Sequence, residues 1–402
     1  MPLIWLSRNG KLLLLEKAVR TVPYGFLGVL FGVYLAQLEF SILQIGIVVT
    51  LTTATSTLYT FIASLVADRI GRKKTLIFFA LTDALAGVLL LISTSWWAPV
   101  AAGIVGNMSV GSGEVGPYLT LEQAILPSAS DPNRRTYAFS LYNLTGYAAS
   151  SGGALLAGVP DYLGIGLAGY RPLFLAYLVS GFLGAAIYST LSKSVELSGN
   201  VLPTRRVLSD ASKPIVKKLS ALFAVDAFAG GFVGTVILSV YFYQRYSLSL
   251  ASLGLLFFGT QVITALSFLV AARIAHKIGL LKTMVFTHIP SNILLAVIAF
   301  APSAATAVLL LLGRQSLSQM DVPTRQSFIM SIVPEHDRTP AAGFTNVSRA
   351  VANSASPSLA GYGIARLWIG SPFVIAGLLK IVYDLALYRS FRKTVVPQDE
   401  ED

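Results

Sequence analysis

The chain has 402 residues, 54% of them hydrophobic and only 12% charged, where a soluble domain carries about 25%; a surface wetted over most of its area is excluded. The formal charge of +11 is spread through short loops rather than gathered on one face, which excludes a nucleic-acid footprint. With no cysteine, disulfides, thiolate chemistry and cysteine-held metals are excluded as well.

Apolar runs long enough to cross a hydrocarbon core of about 30 Å recur down the chain. Between charged or Pro/Gly-rich breaks they predict six helical spans at about 11–37, 42–67, 75–95, 97–126, 134–158 and 171–193. Six more follow at about 214–244, 248–272, 281–301, 304–333, 339–366 and 371–391. The runs are too long for barrel strands, which alternate with period two. After Arg8 and Lys11 comes no short apolar run with a small-residue cleavage site, so the first span is expected to stay as an anchor. A polar linker is expected over 194–213 and a tail over 392–402, ending in Asp399-Glu400-Glu401-Asp402.

Sorting the 30 Lys and Arg by loop gives an orientation. Arg69, Arg72, Lys73, Lys74, Arg134, Arg135, Arg205, Arg206, Arg389, Arg392 and Lys393 share one side with most of the rest, whereas the opposite side holds only Arg171, Arg245 and Arg366. The crowded side is expected to be cytoplasmic, with both termini there. That requires an even number of spans, and twelve fits.

The chain also repeats itself at a shift of about 207 residues. Ala67-Asp68-Arg69-Ile70-Gly71, running on to Thr75, returns as Ala275-His276-Lys277-Ile278-Gly279, running on to Thr283. Gly106, Asn107 and Glu114 match Gly313, Arg314 and Asp321, and Arg135, Asn143 and Gly158 match Arg338, Asn346 and Gly361. The expected architecture is an all-α membrane protein of twelve transmembrane helices as two parallel six-helix repeats, 1–193 and 214–391.

In its loop between spans 2 and 3, Ser64-Leu65-Val66-Ala67-Asp68-Arg69-Ile70-Gly71-Arg72-Lys73-Lys74, the sequence resembles the major facilitator superfamily. Ser64 and Val66 replace that family's Gly and Leu, while the Asp-Arg-x-Gly-Arg-Lys core is intact. The resemblance covers nearly the whole chain. It implies alternating access around a midplane site lined by spans 1, 4, 7 and 10, and a loop (Asp68, Arg69, Gly71, Arg72, Lys73) that stabilises the outward-facing conformer. Drug-exporter signatures are weak: span 4 has no Arg, and span 5 offers Gly146 and Ser151-Gly152-Gly153 without the exporter Pro.

Charges at membrane depth cost roughly 2.5–3.5 kcal/mol each, so they face a cavity or one another. Asn107, Gly111, Glu114, Tyr118 and Glu122 share one stripe of span 4; Arg314, Ser318, Asp321 and Arg325 share the matching stripe of span 10. Glu114 and Asp321 are the leading candidates for a proton-coupling carboxyl. Asp321 and Arg325, four apart, either serve that role or neutralise each other. Asp226, Arg349 and Asn346 are further site candidates, as are Arg20 with Tyr24, and Glu122 as an inner gate. Asp83 is expected to bond to neighbouring helices, Lys380 and Asp384 to pair with each other, and Glu16, Lys17 and Arg20 to snorkel by default.

No G-x-x-x-x-G-K-[ST] phosphate loop occurs, three dispersed histidines make no metal set, and no cofactor is expected. The leading expectation is a secondary transporter in the plasma membrane, monomeric, exporting a small organic solute in exchange for protons. The alternative is a proton symporter or facilitator for a polar nutrient or organic anion, motivated by Arg314, Arg325 and Arg349. A lipid flippase or non-transporting receptor ranks below these. An enzyme is disfavoured, since no nucleophile–base pair is evident.

Overall fold

A computed structural model describes residues 5–108, 116–131, 135–196, 208–334 and 337–394, which are helical almost throughout. In chain order the helices are α1 (Arg8–Gln37), α2 (Ile42–Ile70), α3 (Arg72–Ile92), α4 (Trp97–Val105), α5 (Pro117–Ile125), α6 (Arg135–Leu156), α7 (Val159–Leu163) and α8 (Arg171–Ser189). Then come α9 (Ser212–Gly231), α10 (Thr235–Tyr246), α11 (Leu250–Ile278), α12 (Leu280–Ile298), α13 (Ala304–Ser318), α14 (Asp321–Ile332), α15 (Arg338–Arg366) and α16 (Ser371–Phe391).

Eight helical stretches among the described residues are long and apolar enough to cross a membrane. Large apolar side chains point outward along them, including Leu58, Phe61 and Leu65 on α2, Phe78 and Leu85 on α3, and Leu175 and Phe182 on α8. Apolar surface on this scale is stable only against lipid, where helices satisfy their own backbone hydrogen bonds. The protein is an all-α, multi-pass membrane protein.

Of the predicted spans outside those eight, spans 5 and 11 are polar and spans 4 and 10 are interrupted. α6 carries Asn143, Ser150 and Ser151, and α15 carries Asn346, Arg349 and Asn353. Span 10, expected to be continuous, is two helices with a break at Gln319-Met320. Pro323 has no N–H to offer the Gln319 carbonyl, and its ring crowds that carbonyl. Span 7 breaks between Gly231 and Thr235, where Gly230, Gly231 and Gly234 weaken helical propagation. In span 4, α4 stops at Val105 and α5 starts with Pro117 at its first position.

The chain divides into two compact units, Met1–Val201 with Gly234–Phe258, and Leu202–Val233 with Gly259–Asp402. Residues 234–258 group with the first of these units. In the first unit α1 packs on α6 and α3 on α8; in the second α9 packs on α15 and α12 on α16. These are the same pairings in the order of the predicted spans.

Each unit has its own core. One is built on Leu13, Leu76, Phe79, Ile125 and Tyr142, the other on Phe223, Met284, Phe328, Tyr383 and Leu387. Small residues bring α1 and α6 together: a Cβ on Gly25 would lie 2.0 Å from the Ser150 carbonyl oxygen, and one on Gly153 the same distance from that of Val22. Gly153 of the Ala148–Gly153 run thus serves close helix packing.

Candidate functional site

In the first unit, α1 delivers three charged side chains within little more than one turn, and the structure corrects the expectation that they snorkel. Glu16, Lys17 and Arg20 are 1%, 3% and 4% exposed. Arg20 Nε donates to Glu16 Oε1 at 3.1 Å and Arg20 Nη2 to Glu122 Oε2 at 2.6 Å. Glu122, on α5, also accepts from the Tyr142 hydroxyl at 2.6 Å and the Tyr188 hydroxyl at 2.9 Å. Lys17 Nζ donates to the Tyr142 hydroxyl at 3.2 Å. Two carboxylates and two cations thus balance inside a helical bundle, which is how buried charges are tolerated.

Tyr118 connects this group to a second. Its ring lies 4.2 Å below the Arg20 guanidinium, a cation–π contact, and its hydroxyl donates to Asp83 Oδ2 at 2.8 Å. Asp83 on α3 also accepts from the Tyr24 hydroxyl at 3.2 Å, the Tyr177 hydroxyl at 2.9 Å and the Asn107 backbone N–H at 2.8 Å. It ties α3 to α1, α5 and α8. Four donors on one carboxylate make it a structural knot.

The second unit is organised around Asp226 on α9. Lys380 Nζ donates to Oδ1 at 2.5 Å and Arg349 Nη1 to Oδ2 at 2.9 Å, while Arg325 Nη1 stands 3.7 Å from Oδ2. Arg325 Nη1 donates to Asp321 at 2.6 Å, so the i,i+4 pair forms. Lys380 turns to Asp226 and not, as the sequence spacing suggested, to Asp384. Asp384 instead accepts from Asn292 Nδ2 at 2.9 Å and lies 2.8 Å from His288 Nδ1. The α12 side chains reach Asp384 before a residue of its own helix does.

Of the sequence candidates, Arg20, Tyr24, Tyr118 and Glu122 meet in the first unit, and Asp226, Arg325, Arg349 and Asp321 in the second. Arg314 is buried on α13 beside Gln315. Asn346 is exposed on α15, outside the cluster; Asn353, two turns on, bonds to the Ala227 carbonyl at 3.0 Å. Glu114 and Gly111 lie outside the described residues. Sequence reading took Lys17 to snorkel and weighed His288 only as a metal ligand; it passed over Tyr142, Tyr177 and Tyr188, whose one available signal was a polar atom within an apolar span. Among the described residues no group of His, Asp and Glu could hold a metal ion.

A family model described as Major Facilitator Superfamily matches residues 18–357. The chain belongs to the Major Facilitator Superfamily. It is therefore a secondary transporter of small solutes and not an enzyme, in keeping with the resemblance read from the Asp68–Lys74 loop. An uncharacterized membrane protein of Saccharomyces cerevisiae is 26% identical over 418 residues, covering 95% of this chain and 93% of that protein. A point mutant of the nucleoside transporter NupG shares the fold with a TM-score of 0.78 at 14% identity, covering 96% of this chain and 100% of that one. A D-xylose-proton symporter does so with a TM-score of 0.72 at 15% identity, covering 98% and 99%.

The superfamily's signature loop is held from an unexpected quarter. Gly71 adopts φ 109° and Gly279, its partner in the repeat, φ 86°, a region that favours glycine. The free N-terminus of α3 is capped by Glu196, which accepts from the Arg72 N–H at 2.6 Å and the Lys73 N–H at 3.2 Å. Lys73 Nζ reaches the Leu191 carbonyl at 2.9 Å, and Arg69 is exposed. An acidic group at a helix N-terminus meets both orphan donors and the helix dipole.

Proposed function

We propose that the protein is a twelve-span, two-repeat transporter of the plasma membrane with both termini cytoplasmic, carrying a polar nutrient or organic anion by proton symport or facilitated diffusion. The six-helix bundles 1–193 and 214–391 alternate access to a midplane site, and the unit is a monomer. The observation that carries this reading is the pair of buried ionic networks, Arg20–Glu122 and Arg349–Asp226–Lys380. Ionisable groups at membrane depth are retained where solutes or protons pass. Fold likeness to a nucleoside transporter and to a D-xylose-proton symporter adds support. Proton-coupled efflux has less behind it, since span 4 lacks the exporter arginine.

Proton coupling runs through an intramembrane carboxyl, with Glu114, Asp321 and Glu122 as candidates. Glu122 and Glu16 share Arg20, so protonating one carboxyl releases the guanidinium to the other. The test is uptake of labelled uridine, D-xylose and succinate into proteoliposomes, with and without an inward proton gradient. At least one solute should enter faster than into protein-free liposomes. If the gradient drives accumulation, E122Q or E114Q should abolish it while leaving solute exchange. Uptake of none of the three would count against the transport reading; undiminished proton-driven accumulation in both variants would count against carboxyl coupling at these two residues.

A further inference from the structure

The charged side chains gathered in the second unit do not balance. With His288 neutral, Arg314, Arg325, Arg349 and Lys380 face Asp226, Asp321 and Asp384 among the described residues. Each carboxylate is already engaged: Asp226 by Arg349 and Lys380, Asp321 by Arg325, Asp384 by His288 and Asn292. Arg314 is the cation left over. A protonated His288 would only widen the excess.

Arg314 is 8% exposed. Its Nη1 donates to Gln315 Oε1 at 3.2 Å, and Gln315 Nε2 donates to Thr264 Oγ1 at 2.7 Å, so one corner of the guanidinium is steadied from α11. Its Nε is buried without a hydrogen-bond partner among the described residues. A buried donor with no acceptor carries its full desolvation penalty, and more so in a cation. The edge left open is the one between Nε and Nη2. Its two parallel N–H bonds match two oxygens of a carboxylate or a phosphate.

We propose that this edge of Arg314 is the seat of an oxyanion carried by the transported solute. The inference rests on the transport reading and narrows it to acidic solutes. Binding there supplies both the missing acceptors and the missing negative charge. An uncharged sugar or nucleoside would supply acceptors but leave the charge excess in place. Gln315 and Thr264 are positioning residues that present the open edge.

The test uses purified full-length protein and thermal stabilisation by succinate or inorganic phosphate, against potassium chloride at equal ionic strength. Wild type should show a saturable rise in melting temperature with at least one of the two oxyanions and none with chloride. R314Q should raise the half-saturating concentration at least about tenfold, the loss of a charge-assisted hydrogen-bond pair. R314K keeps the charge without the fork and guards against misfolding of R314Q; it too should bind more weakly than wild type. Absence of stabilisation by either oxyanion, or wild-type affinity in R314K, overturns the inference. Uptake of uridine or D-xylose in proteoliposomes, insensitive to either oxyanion, would overturn it while leaving the transport reading standing.

Discussion

Arg20 Nη2 lies 2.6 Å from Glu122 Oε2, joining α1 to α5 through two side chains that are 4% and 0% exposed. The bond closes a ring of partners around Arg20 that also holds Glu16, so the cost of its removal falls on a buried carboxylate. R20M should destabilise the protein by about 3–5 kcal/mol, the usual cost of stranding one member of a buried pair. E122Q should cost less than E122A, because the amide oxygen still accepts from Tyr142 or Tyr188. Melting temperatures of the detergent-purified variants check the order; equal losses for E122Q and E122A would sink it.

The Lys380–Asp226 contact invites a double-mutant cycle. K380M alone leaves Asp226 with Arg349 and a distant Arg325, and D226N alone leaves Lys380 without a carboxylate. Each single change should be strongly destabilising, whereas K380M/D226N should recover part of the loss, because contacting residues are not additive. Additive losses would mean that the two residues act independently.

In the signature loop, Gly71→Ala should cost about 1–2 kcal/mol for placing a Cβ in the left-handed region. Glu196 Oε1 would then lie 3.1 Å from the new methyl. Glu196→Ala removes the cap of α3 and should cost about 0.5–2 kcal/mol. Hydrogen exchange at the Arg72 and Lys73 amides should quicken in the second variant, and unchanged protection there would refute the cap.

Lys213, hydrogen-bonded to Asp210 at 2.6 Å, holds that carboxyl below its usual range. A depressed carboxyl contributes stability above its unfolded-state value, about 3.9, and loses it as pH falls through the lower folded value. Both groups are exposed, so solvent screening keeps the contribution small. D210N should lower the melting temperature slightly at neutral pH and match wild type once Asp210 is protonated, which flattens the acid limb of the pH profile; identical profiles for the two proteins would refute the contribution.

Membrane residence, helix content and the family were legible in the sequence because each depends on local or summed properties. Span length and apolar content need no tertiary partner, and the Asp68–Lys74 loop keeps its pattern whatever it touches. Helix breaks were harder. Pro323 disrupts span 10 through a carbonyl four residues back, while span 7 weakens over several glycines that a hydropathy window averages away.

The sites divide along the same line. The sequence by itself determined which residues place charge inside the bilayer: Asp83, Asp226, Arg314, Asp321 and Lys380 stand out against apolar surroundings. It also determined the i,i+4 partnership of Asp321 with Arg325, since helical geometry alone brings them together. Only the tertiary structure decided that Lys380 serves Asp226, that Glu16 and Lys17 are buried, that three tyrosines converge on Asp83, and that Arg314 keeps an edge open. Those contacts join helices far apart in sequence. Ion pairing depends on distance in space, and packing between helices, which no residue's neighbours in the chain encode, sets that distance.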